Sequence, residues 1–492
     1  MDSLPIGDYA LLSDCRSAAL VSRDGSVDWL CFPRFDAPSV FCRLLDPAGG
    51  RFAIRPAGEF RASRRYVDQT MVLETTFTTA GGTAVLTDAL ALGRNDRGHD
   101  LGTGSPGLLL RQLVCTSGEI DAEVSYAPRP EYGLIHPFLI PVPGGLAARG
   151  GERNWDYRYT WVRDASLTMG ALWVAACPNE ASKFFTFLAD AAASQLQDGA
   201  DLQIMFGIGG ERDLSERELP HLAGWWGSRP VRVGNGAWRQ RQLDVYGELL
   251  GAAQLLVDQL GELDPVTQQF LTAAADTAAS RWREKDQGIW EIRGEPRDFL
   301  YSKLMCWVAL DRAIALAGRL GAEDRVDGWA TARGEIRAAI LERGWNERAG
   351  AFTRAFGSED LDAAALMLAI TGFLPGDDPR MKATIDATAQ RLTDQRGLVY
   401  RYRAPDGLAG EEGTFLLCTF WLAQAQALAG QVEAATATFE RAVAAINDVG
   451  LLAEEVDPAS GEMIGNFPQA FSHIGLINAA WAITQARQLT SG

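Results

Sequence analysis

The sequence predicts a mainly α protein with an N-terminal β domain: an antiparallel β-sandwich followed by an α/α barrel. Three observations predict it. The first ~130 residues alternate short apolar runs with glycine-bearing turns. Residues 128–151, "PRPEYGLIHPFLIPVPGGLAARGG", are rich in proline and glycine, and Pro128, Pro130, Pro137, Pro141 and Pro143 rule out a long regular helix. After residue 155 the texture turns alanine- and leucine-rich, with apolar residues at helical spacing. The expected domains are a sandwich over 1–130, a linker over 131–153 and a helical barrel over 154–492.

Each part has its own local reason. "SAALVSRDGSVDWLCF" places Asp24-Gly25 between two apolar runs, a hairpin signal. "MVLETTFTTAGGTAVLTDAL" repeats that pattern around Gly81-Gly82, and "LLLRQLVCTSGEIDAEVSY" around Ser117-Gly118. Repeated hairpins at this spacing predict a sandwich. Downstream, the i, i+3, i+4 rule gives about eleven helices. They lie near 162–176, 180–197, 238–260, 266–284, 299–319, 324–342, 360–371, 378–392, 414–429, 432–446 and 468–487. They fall into hairpin pairs whose long loops alternate with short turns. Such an array carries its site on the rim that bears the long loops.

The bulk properties narrow the partners. The net charge of −17 argues against nucleic acid and anionic membranes and fits a neutral substrate. Seven scattered cysteines form no C-x-x-C pair, and there are four histidines, so reduced thiols, a cytoplasmic location and no structural zinc are expected. "MDSLPIGDYALLSDCRS" lacks the basic and apolar regions of a signal peptide, and no apolar run reaches the length of a membrane span. "GIGGER" begins like a dinucleotide-binding loop, but Arg212 replaces the last glycine. Ser472 and His473 are neighbours on one predicted helix and cannot face each other as nucleophile and base.

The long loops carry the candidate chemistry. "NWDYRYTWVRD" (154–164) packs four aromatics, two arginines and two aspartates into eleven positions. Rings beside bidentate polar groups suit a sugar, which offers flat C–H faces and a rim of hydroxyls. Glycoside hydrolysis needs two carboxyls, one to protonate the leaving oxygen and one to activate water or attack carbon. Glu291, after Trp290, and Glu454, beside Glu455, are the candidates; Trp290 would supply the apolar surroundings that keep a carboxyl protonated. The ordinary reading of the same residues is a helix-capping acid and a solvated pair, because surface carboxylates are common. In "GNFPQAF" (465–471), Asn466 reads as a helix N-cap with Pro468 in the first turn.

These loops carry a family resemblance. "PIGDYALLSDCRSAALVSRDGSVDWLCFPRFDAPSVF" is similar to the trehalase-like N-terminal domain. "GGERNWDYRYTWVRDASL", "GSRPVRVGN", "QLDVYGE", "GIWEIRG", "YSKLMCWVALDRA", "EEGTFLLCTFW" and "AEEVDPASGEMIGNFPQAFSHIGLINAA" follow in order. Together they resemble glycoside hydrolase family 15, the glucoamylase, glucodextranase and trehalase-like group. The resemblance implies a sandwich before an (α/α) barrel of six hairpins, and exo-acting, inverting hydrolysis of an α-glucoside. It implies Glu291 as general acid and Glu454 as general base, with Glu455 beside it. Tyr157, Trp161, Arg163, Asp164, Trp290 and Arg401 would hold the terminal glucose, and Trp226 and Phe415 would be aromatic walls. An inverting pair sits roughly 6.5–9.5 Å apart, leaving room for water.

The substrate implied is α,α-trehalose, with glucoamylase- or isomaltose-type action on short α-glucans as the alternative. A third reading, from another class, is an inactive sugar-binding or scaffold protein. No cofactor is expected, although some trehalases of the family are thought to need phosphate or a divalent cation. Against the family pattern the chain is shortened, on the order of a hundred residues, between "EVSYAPRP" and "GGERNWDYRY". A barrel open on one side, or closed by a second chain in a homo-oligomer, is therefore expected, with an apolar seam.

Overall fold

The computed structural model describes residues 3–142, 145–149, 159–175, 177, 183–191, 201–257, 262–292, 294–403 and 412–491. The chain divides into two compact units. The first comprises Met1–Arg158, Asp213–Gly236 and Ile446–Leu451; the second comprises Tyr159–Arg212, Ala237–Ala445 and Leu452–Gly492.

The first unit contains two antiparallel sheets. One runs in the order β1 (Tyr9–Ser13), β2 (Ala18–Ser22), β3 (Ser26–Cys31), β5 (Arg51–Pro56), β10 (Ala122–Ala127), with β4 (Ser39–Phe41) on β3. The other is β6 (Arg61–Tyr66), β7 (Leu73–Thr78), β8 (Gly82–Leu90), β9 (Leu109–Gly118). Ile54 of the first sheet packs with Phe77 and Leu86 of the second, and Leu12, Val21 and Val27 pack with Leu73 and Leu90. Shared apolar clusters of this kind make the pair a sandwich. Arg111 ties the two sheets with charge. Its guanidinium meets the buried carboxylate of Asp88 at 2.8 Å and donates to the Gly25 carbonyl at 2.9 Å.

The hairpins expected at Asp24-Gly25 and at Gly81 are present, joining β2 to β3 and β7 to β8. The hairpin expected at Ser117-Gly118 is not. β9 pairs with β8, whereas β10 crosses to the other sheet and pairs with β5. Gly118 does end β9, but a turn does not fix which strand its exit pairs with. β9 and β10 are edge strands, and Leu110, Val114 and Val124 stand exposed on them. The proline-rich passage, expected as a linker, contains a two-stranded hairpin of β11 (Phe138–Val142) and β12 (Gly145–Arg149).

The second unit is helical. Its helices are α1 (Val162–Val174), α2 (183–191 as described), α3 (Val245–Leu255), α4 (Pro265–Arg281), α5 (Leu300–Leu320) and α6 (Val326–Ala339). They continue with α7 (Met367–Ile370), α8 (Pro379–Arg391), α9 (Leu416–Leu428), α10 (Val432–Val443) and α11 (Ala470–Ser491). Each lies within the span its periodicity predicts or overruns it by a few residues. α5 is buried on every face over Leu300–Leu310, as an inner helix must be. α10 buries only Ala435, Thr438 and Ala442 and is an outer, amphipathic helix. Asp264 and Asp378 cap α4 and α8, each followed by a proline at the first helical position.

The inner ring passes from α1 to α3 and α5, on through the 3-10 turn Ala363–Leu366 that leads into α7, and then to α9 and α11, which packs back on α1. The expected opening in the barrel is therefore absent from the inner ring. The shortened chain keeps all six helices needed to close it. Trp173 of α1 and Trp481 of α11 are 39% and 51% exposed.

Candidate active site

Glu291 stands at the end of the turn "GIWE". Gly288 opens this turn at φ +71°, and a Cβ there would lie 2.7 Å from the Phe299 ring, so the turn needs glycine. Glu291 itself has φ +54°, a left-handed conformation that costs a side-chain-bearing residue on the order of 1–2 kcal/mol. The surroundings hold it there. Trp161, just before α1, donates its indole N–H to Glu291 Oε1 at 2.7 Å, and an Arg163 terminal nitrogen lies 3.6 Å from the same oxygen.

Arg163 projects from the first turn of α1 and is nearly buried. It donates to the Ile289 carbonyl at 2.8 Å and pairs with Asp164 at 3.2 Å. Sequence reasoning missed the acids grouped behind it. Asp244 and Glu248 on the α3 segment and Asp286 before the turn are buried, and Tyr301 of α5 donates its hydroxyl to Glu248. Burial pushes Asp244 up to about 7 against the pull of Arg163, and Glu248 up to about 8. Asp164 and Asp286 rise to about 6 for the same leading reason. "QLDVYGE" contains two of these acids, and their four-residue spacing on a helix was the available signal.

Trp290 does not serve Glu291 in the way expected. Its indole N–H is committed to both oxygens of Asp362 at 3.0 Å, while the indole that touches the Glu291 carboxylate is Trp161. Successive side chains of a turn diverge, so adjacency in sequence did not give adjacency in space. Trp290 packs on Phe415 (5.7 Å between centroids) and Trp421 (6.0 Å). Arg401 joins this aromatic group, 5.0 Å over Phe415 and 5.5 Å over Trp290, and its guanidinium is paired with Glu412. Asp362, raised to about 6 by burial, and Arg354, 3.9 Å from it, complete the wall behind Trp290.

Glu454 and Glu455 part company, as neighbours on extended backbone do. Glu455, on the short strand Glu455–Val456, accepts the Gly413 N–H at 3.0 Å. Burial, and then the charge of Glu454, push it up to about 7. Glu454 accepts the backbone N–H of Asn466 at 3.0 Å and its side-chain amide at 2.8 Å, with Gln469 Nε2 at 3.4 Å. Gly465 passes beneath it, where a Cβ would meet its carboxylate at 2.9 Å. Asn466 is thus not a helix cap. α11 starts at Ala470, and the asparagine's hydrogen-bonding capacity goes to Glu454 instead. A polar side chain before a helix was read by its commonest use.

The two acids are connected by neighbours. Arg163, beside Glu291, lies 5.8 Å from the centroid of Phe471. The Phe471 N–H donates to Gln469 Oε1 at 3.4 Å, and Gln469 donates to Glu454. Trp161, Arg163, Asp164, Trp290, Arg401, Glu455 and both acids lie in the helical unit; Tyr157 lies outside the described residues. Trp226 belongs to the first unit, where it stacks on Trp225 at 4.5 Å. Among the described residues no group of three His, Cys, Asp or Glu side chains is arranged to hold a metal ion, and no helix is long and apolar enough to cross a membrane.

Comparison with known proteins bears on the family and the fold. The model of glycosyl hydrolases family 15 matches residues 135–481, and that of the trehalase-like N-terminal domain matches residues 1–156. A trehalase of Mycolicibacterium smegmatis is 35% identical over 98% of this chain and 92% of its own length. A trehalase of Thermoplasma volcanium is 29% identical over 97% and 93%. The first of these alignments runs over 615 positions against a chain of 492 residues, so more than a hundred positions of the relative have no counterpart here. Among solved structures, a bacterial glucoamylase complexed with acarbose superposes with a TM-score of 0.69 at 10% identity, covering 99% of this chain and 94% of that one. A glycosidase variant in complex with glucose superposes at 0.54 and 20% identity, over 66% and 88%. The chain belongs to the glycosyl hydrolases of family 15, and it is a trehalase-like glycoside hydrolase.

Proposed function

We propose that this chain hydrolyses α,α-trehalose by inversion, with Glu291 as general acid and Glu454 as general base. The observation that carries the reading is the pairing of a strained Glu291, aimed into the Trp161–Arg163 cluster, with a Glu454 linked to that cluster through Phe471 and Gln469. Extensive similarity to proteins named trehalase supports the choice of substrate.

In this reading the terminal glucose rests on Trp161 and is held by Asp164, which Arg163 orients through charge-assisted contacts. Arg401 and the Trp290–Phe415 group flank the same ring, and Glu455 holds the loop beside Glu454. Glu291 gives its proton to the glycosidic oxygen as the C1–O bond breaks. Water attacks C1 from the opposite face and yields its proton to Glu454. The attacked ring leaves as β-glucose and the departing ring as α-glucose. Two carboxyls and water balance the reaction. The substrate is a small neutral sugar, as the acidic net charge suits, and the cysteines, all thiols, fit a reducing cytoplasm.

Proton NMR of a fresh trehalose digest tests this reading. Equal initial amounts of β- and α-glucose are expected; α-glucose alone means retention and overturns the pair. Faster release from maltose or isomaltose than from trehalose overturns the substrate and leaves the mechanism standing.

A further inference from the structure

The backbone that presents Glu291 is held by two glutamines that no catalytic role uses. Gln240 lies just after the 3-10 turn Gly236–Arg239, fifty-one residues before Glu291 in the chain. Its side-chain amide nitrogen donates to the carbonyls of both Glu291 (3.2 Å) and Ile292 (3.4 Å). Its amide oxygen accepts from Gln242 Nε2 at 3.2 Å. Gln242, only 3% exposed, faces Arg163 at 3.5 Å, and Arg163 grips the Ile289 carbonyl. Side-chain donors thus hold three of the four carbonyls between Ile289 and Ile292. Two carbonyls facing one amide fix its orientation: nitrogen toward the turn, oxygen toward Gln242.

This grip falls where the turn departs from relaxed geometry. A left-handed φ at a glutamate persists only when neighbours over-determine it. Without them the turn relaxes, and the Glu291 side chain, which leaves the same Cα, swings with it. We infer that Gln240 is a positioning residue for the proposed general acid: its amide, braced by Gln242, holds Glu291 in the left-handed conformation that aims its carboxyl at the leaving oxygen. The inference rests on the assignment of Glu291 as acid.

Gln240→Met keeps the length of the side chain and removes its donor and acceptor; Gln242→Met removes the brace. Displacing a catalytic group by about an ångström costs on the order of a hundredfold. The expected result for Gln240→Met is a fall in kcat on trehalose of about tenfold to a hundredfold, with KM within about twofold, and a smaller fall of the same kind for Gln242→Met. On α-glucosyl fluoride, whose leaving group needs no proton, Gln240→Met should keep the parental rate within about threefold. An equal loss on both substrates, a loss confined to KM, or parental kinetics in both variants overturns the inference. Should Gln240→Met fail to fold, Gln242→Met decides by the same two-substrate comparison. Glu291→Gln separates the two failures. Parental activity there overturns the acid itself, whereas an inactive Glu291→Gln beside a parental Gln240→Met overturns only the role of Gln240.

Discussion

The turn that carries Glu291 is held by residues far from it in sequence: Trp161 and Arg163 at the start of α1, and Gln240 ahead of α3. The Glu454 carboxyl is held within its own loop, through Asn466 and Gln469 within fifteen residues, while the Glu454 carbonyl accepts the distant Leu416 N–H. Glu291 sits on strained backbone against a nearly buried guanidinium, while the Asn466 contacts of Glu454 are exposed to solvent. The difference follows the chemistry proposed for each. A group that must meet one oxygen at one moment needs a rigid seat. A group that activates water needs access to water and a few donors to orient it.

The comparison can be broken at its strongest point first. Glu454→Ala should lower kcat on trehalose by about 10²–10⁴-fold, the range for loss of a general base. A loss under tenfold would move the base elsewhere, with Glu455, next in the chain, as the first alternative to test. Next comes the indole that touches the acid. Trp161→Phe removes the hydrogen bond that holds the Glu291 carboxyl in place, so kcat/KM should fall by roughly ten- to a hundredfold. An unchanged kcat/KM would show that this contact is idle in turnover. Asn466→Ala should cost less, about tenfold in kcat, because Gln469 and the Asn466 backbone N–H still reach Glu454. If Asn466→Ala matched the loss of Glu454→Ala, the locally held carboxyl would be as finely tuned as the remotely held one, and the contrast would disappear.

The smallest effect concerns stability. Asp164, Asp286 and Asp362 are raised to about 6, Asp244 and Glu455 to about 7 and Glu248 to about 8, each chiefly by burial. Carboxyls in the unfolded chain titrate near about 4. From there to about pH 8 the folded protein binds more protons, so the stability these groups contribute is complete at low pH and is lost as pH rises through 6 to 8. Melting measured from pH 5 to pH 8 should show Tm falling across that window, and Asp244→Asn should flatten the fall. A Tm that rises over the window would show that these acids are ionised in the folded state.

Much of this was legible in the sequence, for identifiable reasons. Helical periodicity is local, and it located α1 through α11, although α3 begins at Val245 and α7 at Met367, well inside the spans expected from 238 and 360. Turn chemistry is local too, and it found the turns at Asp24-Gly25 and Gly81. What failed was non-local. Gly118 does end β9, at φ +69°, but nothing near it tells that the next strand joins β5. Asn466 has the residue type of a cap, but its partner is twelve residues upstream. Gln240 carries no signature at all, since a side-chain amide bridging two backbone carbonyls across fifty residues leaves no spacing to read. The shortened stretch was visible, but its consequence was not, because six inner helices survive to close the ring.

The most direct test of the central claim sets Glu291→Gln against two substrates, one whose leaving group needs a proton and one whose leaving group does not. On trehalose the account predicts a fall in kcat of about 10³-fold or more, and on α-glucosyl fluoride a rate within about tenfold of the parent. Equal losses on both substrates, or no loss on either, would contradict it.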